Sequence, residues 1–212
     1  MAPIFQIIVG SFLLSIIHAS MPNHWLPLVI IGKTERWNRA ETLGVTAIAG
    51  LAHVASTLII GMLVGWLGYQ LSSRRALITG IIAPAILVAL GLFYLVADWR
   101  SRRHHHHDHE AAHRGSRSSK TAVITSLVVA MFFSPCLEIE AYYFTAGALG
   151  WLGIATVSII YVLVTVLGML VLVDLSRRGM QKIRLLFLEH HEKGITGVAL
   201  IILGVLAYLF FE

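Results

Sequence analysis

The chain is poor in charge and in cysteine, and both shortages restrict what it can be. Only 13% of its 212 residues are charged, whereas 57% are hydrophobic. A soluble globular domain carries roughly 25% charged residues, so that class is excluded. The single cysteine, Cys136, cannot form an intrachain disulfide, a two-cysteine redox pair or a cage of several thiolates around zinc.

Acidic residues are also scarce, with 11 Asp and Glu against 16 Lys and Arg. The basic residues lie between long apolar runs and not on a surface with interleaved aromatic residues, which excludes nucleic acid as a partner. Fourteen of the 16 occur in the first, third and fifth connecting loops. By the positive-inside rule these loops face the cytoplasm, which predicts both termini outside and the loop over residues 98–120 inside.

Long uncharged runs predict an all-α integral membrane protein with the lipid bilayer as its partner. About 20 apolar residues cross a bilayer, which gives six predicted transmembrane helices and leaves no room for an aqueous domain. Residues 1–212 are therefore predicted to form one membrane domain, located in a plasma membrane or bacterial inner membrane. The predicted spans cover residues 3–32, 42–72, 76–97, 121–147, 149–173 and 195–211.

Three spans precede the long third loop and three follow it, which predicts a 3+3 inverted repeat, since an odd number of spans per half reverses the second half. The first and fourth helices contain proline, namely Pro22 and Pro27 in one and Pro135 in the other. Proline lacks an N–H and disfavours helical angles in the residue before it. These three positions are predicted helix breaks, a feature typical of transporter binding sites.

Ionisable residues deep in the spans are the candidates for chemistry, because each costs about 2.5–3.5 kcal/mol in hydrocarbon and therefore faces a partner or a cavity. Imidazole with carboxylate suits Ni, Co or Zn, whereas Mg or Ca prefers oxygen alone. The predicted site is an intramembrane His/Glu metal site, in which Glu138 is favoured over Glu140 because it shares a helix face with Ser134. A proton relay or a polar packing network is the alternative. The candidates are His18, His24, His53, Glu138 and Glu140.

The third loop contains a histidine tract that predicts an accessory metal loop. Such a tract binds divalent metals loosely and exchangeably. An inert polar linker is the alternative interpretation. The histidines are His104, His105, His106, His107, His109 and His113.

These motifs resemble the nickel/cobalt permease and efflux families of the LysE-like transporter superfamily. The segment His18-x4-Asn23-His24 is similar to the His-x4-Asp-His motif of those families, and Gly50-Leu-Ala-His53 is similar to their second span. The resemblance implies transport of a divalent transition metal, with His18, Asn23, His24 and His53 at the metal site.

One residue departs from the family motif. Asn23 stands where those families have aspartate, which removes one negative charge from the cation site. We expect Glu138 and Glu140 to restore that charge.

Three functions remain open at this point, and a secondary transporter is favoured over an enzyme. Transport would be outward, with proton exchange at His and Glu. The alternatives are a membrane-embedded zinc-dependent hydrolase, in which Glu138 acts as base beside the same histidines, and a metal-delivery partner of a metalloenzyme. The sequence also leaves open whether the chain forms a homo-oligomer. Pro135-Cys136 resembles a motif of membrane thiol-disulfide carriers, but electron transfer by that route needs two cysteines.

Overall fold

The computed structural model describes residues 3–71, 73, 77–103, 119–134, 136, 138–178, 194, 197–206 and 208–209. All the regular secondary-structure elements in these ranges are helices, as the sequence predicted. A π-helical turn at Ile78–Ile82 leads into the fourth α-helix. The helices are α1 (Pro3–Ser20), α2 (Pro22–Thr34), α3 (Arg39–Gln70), α4 (Ala83–Arg103), α5 (Lys120–Phe132), α6 (Glu140–Ala148) and α7 (Trp151–Arg177), followed by the short apolar α8 (Gly197–Leu206).

Four helical segments in the described ranges are long and apolar enough to cross a membrane. The helices α5 and α8, which fall in the predicted spans 121–147 and 195–211, are apolar but shorter. Large apolar side chains such as Leu63, Ile159 and Leu167 are exposed on the outer faces of the bundle. Lipid suits such faces, and the structure is therefore compatible with a membrane location. The four segments are Ile4–Thr34, Arg39–Gln70, Gly80–Arg100 and Trp151–Arg177.

The first apolar run is broken at Pro22, as predicted. The helix α1 ends at Ser20, Met21 is extended (φ −68°, ψ 130°), and Pro22 is the first residue of α2. Proline is favoured at this position because the first N–H groups of a helix have no intrahelical partner to lose. The Met21 N–H donates to the His18 carbonyl at 3.1 Å. The regular helix is therefore interrupted between His18 and His24.

The prediction of a second break at Pro27 is wrong. Pro27 lies inside α2, which continues to Thr34. A proline removes one helical hydrogen bond. Helices in membranes tolerate a proline when the residues on both sides of it pack against neighbouring helices. Buried residues occur before and after Pro27, including Trp25, Leu28 and Val29. We attribute the continuity of α2 across Pro27 to this packing.

The fourth apolar run is also broken, between the end of α5 at Phe132 and the start of α6 at Glu140. No helix is assigned to the described residues between these two points. Pro135, the predicted cause, lies outside the described residues. The break nevertheless divides the run where the sequence placed it.

The centre of the bundle is formed by α3, which packs against α5, α6 and α7. Glycines on one face of α3 allow the close contact with α6: Gly61 meets the ring of Tyr143, and Gly68 meets the Phe144 carbonyl. Small residues permit this approach of two helix backbones. The face of α3 that carries His53 is consequently held inside the bundle.

Enlarging one of these glycines should therefore destabilise the protein. A methyl group at Gly68 would overlap the Phe144 carbonyl, whereas one at Gly44, on the same helix, would meet nothing within 4 Å. We expect Gly68→Ala to lower the free energy of unfolding by about 1–3 kcal/mol, as in other overpacked interiors. Gly44→Ala should raise it by roughly 0.5–1 kcal/mol. Thermal unfolding in detergent measures both, and equal changes in the two midpoints would contradict this packing.

Ion pairs connect α3 to α5 and α7 at one end of the bundle. Arg39 donates to both carboxylate oxygens of Asp174 near the end of α7, at 2.6 and 2.9 Å. Lys120 at the start of α5 contacts Glu41 at 2.5 Å. The starts of α3 and α5 and the end of α7 are thus held together.

Candidate metal centre

Four buried side chains converge in the interior of the bundle. One donor atom from each lies within 4.8 Å of the others. His18 Nε2 is 3.3 Å from His53 Nε2, and the Cys136 sulfur is 2.7 Å from His18 Nε2 and 3.3 Å from His53 Nε2. Two nitrogens bound to one tetrahedral zinc ion lie about 3.3–3.4 Å apart, given Zn–N bonds of 2.0–2.1 Å. The group, called the His/Cys cluster below, consists of His18, His24, His53 and Cys136.

The break at Pro22 brings the first two histidines together. On a regular helix six residues correspond to about 600°, which would place His18 and His24 on different faces. The extended Met21 removes that constraint, and the two ring centroids lie 4.3 Å apart. The ring of His24 is also 4.6 Å from that of His53 on α3. The structure thus brings the three predicted histidines into one place.

The orientation of His53 is set by a backbone carbonyl. His53 Nδ1 lies 3.3 Å from the Met131 oxygen, which can only accept, so Nδ1 carries the proton. Pro135, four residues after Met131, has no N–H to donate to this carbonyl. The carbonyl accepts from the Ser134 N–H at 3.3 Å and has a second lone pair for His53. A metal-binding histidine commonly donates its second ring N–H to such an acceptor. Nε2 is then unprotonated, and its lone pair faces His18 and Cys136 of the His/Cys cluster.

One atom of the cluster lacks a partner. His24 Nε2 is buried and has no hydrogen bond to any residue that the structure describes. A buried polar atom left unpaired costs about 1–3 kcal/mol, so an ion that accepts its lone pair would offset that cost. Imidazole and thiolate donors suit transition metals, not Mg or Ca. The His/Cys cluster could therefore hold a transition-metal ion.

Cys136 is the residue that sequence reasoning missed. A lone cysteine cannot form a cage of several thiolates. In this structure, however, Cys136 lies together with the imidazoles of three histidines. The available signal was its position directly after Pro135, in the interrupted fourth helix. The two interrupted helices supply three of the four donors: His18 and His24 from one, and Cys136 from the other.

Neither predicted glutamate belongs to the donor group, so the arrangement is a His/Cys set instead of the expected His/Glu set. Glu138 is buried and accepts a hydrogen bond from the Tyr94 hydroxyl at 2.5 Å. It lines a cleft together with His18 and Cys136. Glu140 is also buried, and neither of its carboxylate oxygens has a hydrogen bond within the described ranges. Glu138 therefore borders the cluster without joining it, and Glu140 is a buried carboxylate outside the donor group.

Asn23 is exposed, and the structure does not bring its side chain to the His/Cys cluster. Successive helical residues point about 100° apart, so Asn23 turns outward where its neighbour His24 turns inward. The predicted accessory metal loop, His104 to His113, lies outside the described residues.

The donor geometry carries the functional argument alone, because similarity offers no guide. No family model matches the chain, and searches among curated proteins and solved structures found no match.

Proposed function

We propose that this protein is a membrane transporter of a divalent transition-metal ion, which the His/Cys cluster binds during its passage. The observation that carries the proposal is the convergence of four donor atoms, within 4.8 Å, at the interruptions of two apolar helical runs. Interrupted helices that supply ligands from inside a membrane domain are typical of secondary transporters.

The completeness of the donor set argues against hydrolysis. A catalytic zinc ion keeps one position open for water, whereas four protein donors fill a tetrahedral ion. His18, His24, His53 and Cys136 provide four such donors. A water molecule activated by Glu138 would have no coordination position.

The donor chemistry points to Zn, Co or Ni as the substrate. Three neutral imidazoles and one thiolate leave a divalent ion with one uncompensated positive charge. An unpaired charge in a low-dielectric interior costs several kcal/mol, so a nearby carboxylate is required. Glu138, which lines a cleft with Cys136, supplies it. Protonation of Glu138 and of the Cys136 thiolate when the ion leaves is our proposed basis for proton exchange, with two protons taken up for one divalent ion.

The proposed topology is the six-span 3+3 inverted repeat, with α5 and α6 together forming the fourth span and α8 part of the sixth. Both termini lie outside, and the histidine-rich loop over residues 98–120 lies in the cytoplasm. The charge distribution of the loops supports this orientation. In it, the loop collects metal on the side from which efflux begins.

Metal flux into proteoliposomes tests the proposal. We expect flux of Zn, Co or Ni that responds to a pH gradient, and its loss in His53→Gln, which removes a donor of the cluster. Asn23→Ala is the matched control, because Asn23 adjoins His24 but is exposed; this variant should transport as the unmodified protein does. Absence of metal-dependent flux would refute the transporter, and equal flux in His53→Gln would refute binding of the transported ion by the His/Cys cluster.

A further inference from the structure

We propose that Thr57 is a positioning residue that holds Cys136 against the histidines of the cluster. The inference rests on the proposed metal centre but not on transport. Thr57 is fully buried on α3, one helical turn after His53. Its side chain is not itself a member of the donor group.

The Thr57 hydroxyl connects two of the donors. It accepts a hydrogen bond from the Cys136 N–H at 3.2 Å and donates to the His53 carbonyl at 3.2 Å. It also accepts from the Tyr161 hydroxyl at 3.5 Å. A hydroxyl offers one donor and two acceptor positions, so its full capacity is used.

Cys136 depends on this contact because of where it lies in the chain. It follows the end of α5 at Phe132 and precedes the start of α6 at Glu140, where no helical carbonyl is available to its N–H. The Thr57 hydroxyl provides the missing acceptor. Since the same hydroxyl is bonded to the turn of α3 that carries His53, it sets the 3.3 Å separation between the Cys136 sulfur and His53 Nε2.

Tyr161, on α7, contacts both Thr57 and His53. Its hydroxyl lies 3.5 Å from His53 Nε2 as well as 3.5 Å from Thr57 Oγ1. Groups outside the donor set that orient metal ligands typically contribute 10- to 100-fold, or about one to two orders of magnitude, in metal affinity. Thr57 has the connections of such a group to two donors at once.

Cobalt(II) titration of the full chain in detergent tests this role. The thiolate-to-cobalt charge-transfer absorption reports Cys136, and the d–d bands report the coordination geometry. We expect Thr57→Val, which keeps the shape and removes the hydroxyl, to bind cobalt about 10- to 100-fold more weakly and to lose charge-transfer intensity relative to the d–d bands. Thr57→Ser, which restores the hydroxyl, should recover both.

Ser56→Ala is the matched control. The Ser56 hydroxyl is buried and donates to the same His53 carbonyl at 2.8 Å, and its only hydrogen bond in the described part of the chain is to that carbonyl. This variant should retain the charge-transfer band. Circular dichroism verifies folding. Thr57→Ala, which also removes the hydroxyl and leaves a smaller side chain, serves with the same expected loss if Thr57→Val does not fold.

The outcomes distinguish failure of the proposed role of Thr57 from failure of the proposed metal centre. Thiolate absorption in the unmodified protein, together with undiminished binding and absorption in Thr57→Val, would overturn the role of Thr57 alone. An equal loss in Ser56→Ala would also overturn it, because the effect would then act through the His53 carbonyl. Absence of thiolate absorption in the unmodified protein would instead refute the metal centre, and the role of Thr57 with it.

Discussion

Cys136→Ser is expected to weaken the binding of zinc or cobalt by more than about 100-fold, beyond the 10- to 100-fold typical of groups outside the donor set. The sulfur lies 2.7 Å from His18 Nε2 and 3.3 Å from His53 Nε2, so it occupies a donor position. It is also the only donor of the group that becomes an anion. Serine would leave a divalent ion among three neutral imidazoles, with its charge unpaired by any donor. Metal titration of the purified protein against a competing chelator measures the loss.

Glu138→Gln is the comparison variant. It removes a buried charge near the cluster but retains an oxygen that can accept from the Tyr94 hydroxyl. We expect a smaller loss of affinity than in Cys136→Ser, because no donor is removed. A larger loss in Glu138→Gln would restore the His/Glu set that the sequence suggested and would contradict the assignment of Cys136.

His24→Leu is expected to stabilise the metal-free protein and to reduce its stabilisation by metal, because one of the four donors is removed. His24 Nε2 has no hydrogen bond to the described residues, and its removal relieves a cost of about 1–3 kcal/mol. In the unmodified protein, free zinc at a thousandfold excess over the dissociation constant should stabilise the fold by about 4 kcal/mol. Thermal unfolding in detergent, with zinc or with a chelator, measures both effects.

Thr165→Val provides the matched control for that experiment. The Thr165 hydroxyl is also buried without a hydrogen bond to the part of the chain that is described, but it is not a member of the donor group. This variant should likewise gain stability without metal, yet keep the full upward shift of its unfolding temperature with zinc. A zinc-induced shift as large in His24→Leu as in the unmodified protein would remove His24 from the metal centre.

The convergence of the histidines could be predicted because it depends on local chemistry. An ionisable residue is costly in an apolar span wherever it lies, and Pro22 interrupts hydrogen bonding at a known distance from His18 and His24. Pro27 shows the limit of that reasoning. It is the same residue type five positions later, but the outcome depended on side chains packed on both sides of it, and this tertiary information is absent from a list of prolines.

Cys136 could not be assigned from the sequence for a related reason. A single cysteine is more often a small buried apolar residue than a ligand. Its position directly after Pro135 does not by itself distinguish the two roles. Its role depends on the Thr57 hydroxyl and on His53, which lie 79 and 83 positions away in the sequence. The glutamates illustrate the converse, since Glu138 had suitable chemistry but the structure pairs it with Tyr94.

X-ray absorption spectroscopy of the full chain loaded with one equivalent of zinc tests the central claim most directly, because it identifies the atoms bound to the ion. We expect one sulfur at about 2.3 Å and three nitrogens at about 2.0–2.1 Å, from Cys136 and the three histidines. A coordination shell of nitrogen and oxygen without sulfur would contradict the His/Cys cluster as the metal centre.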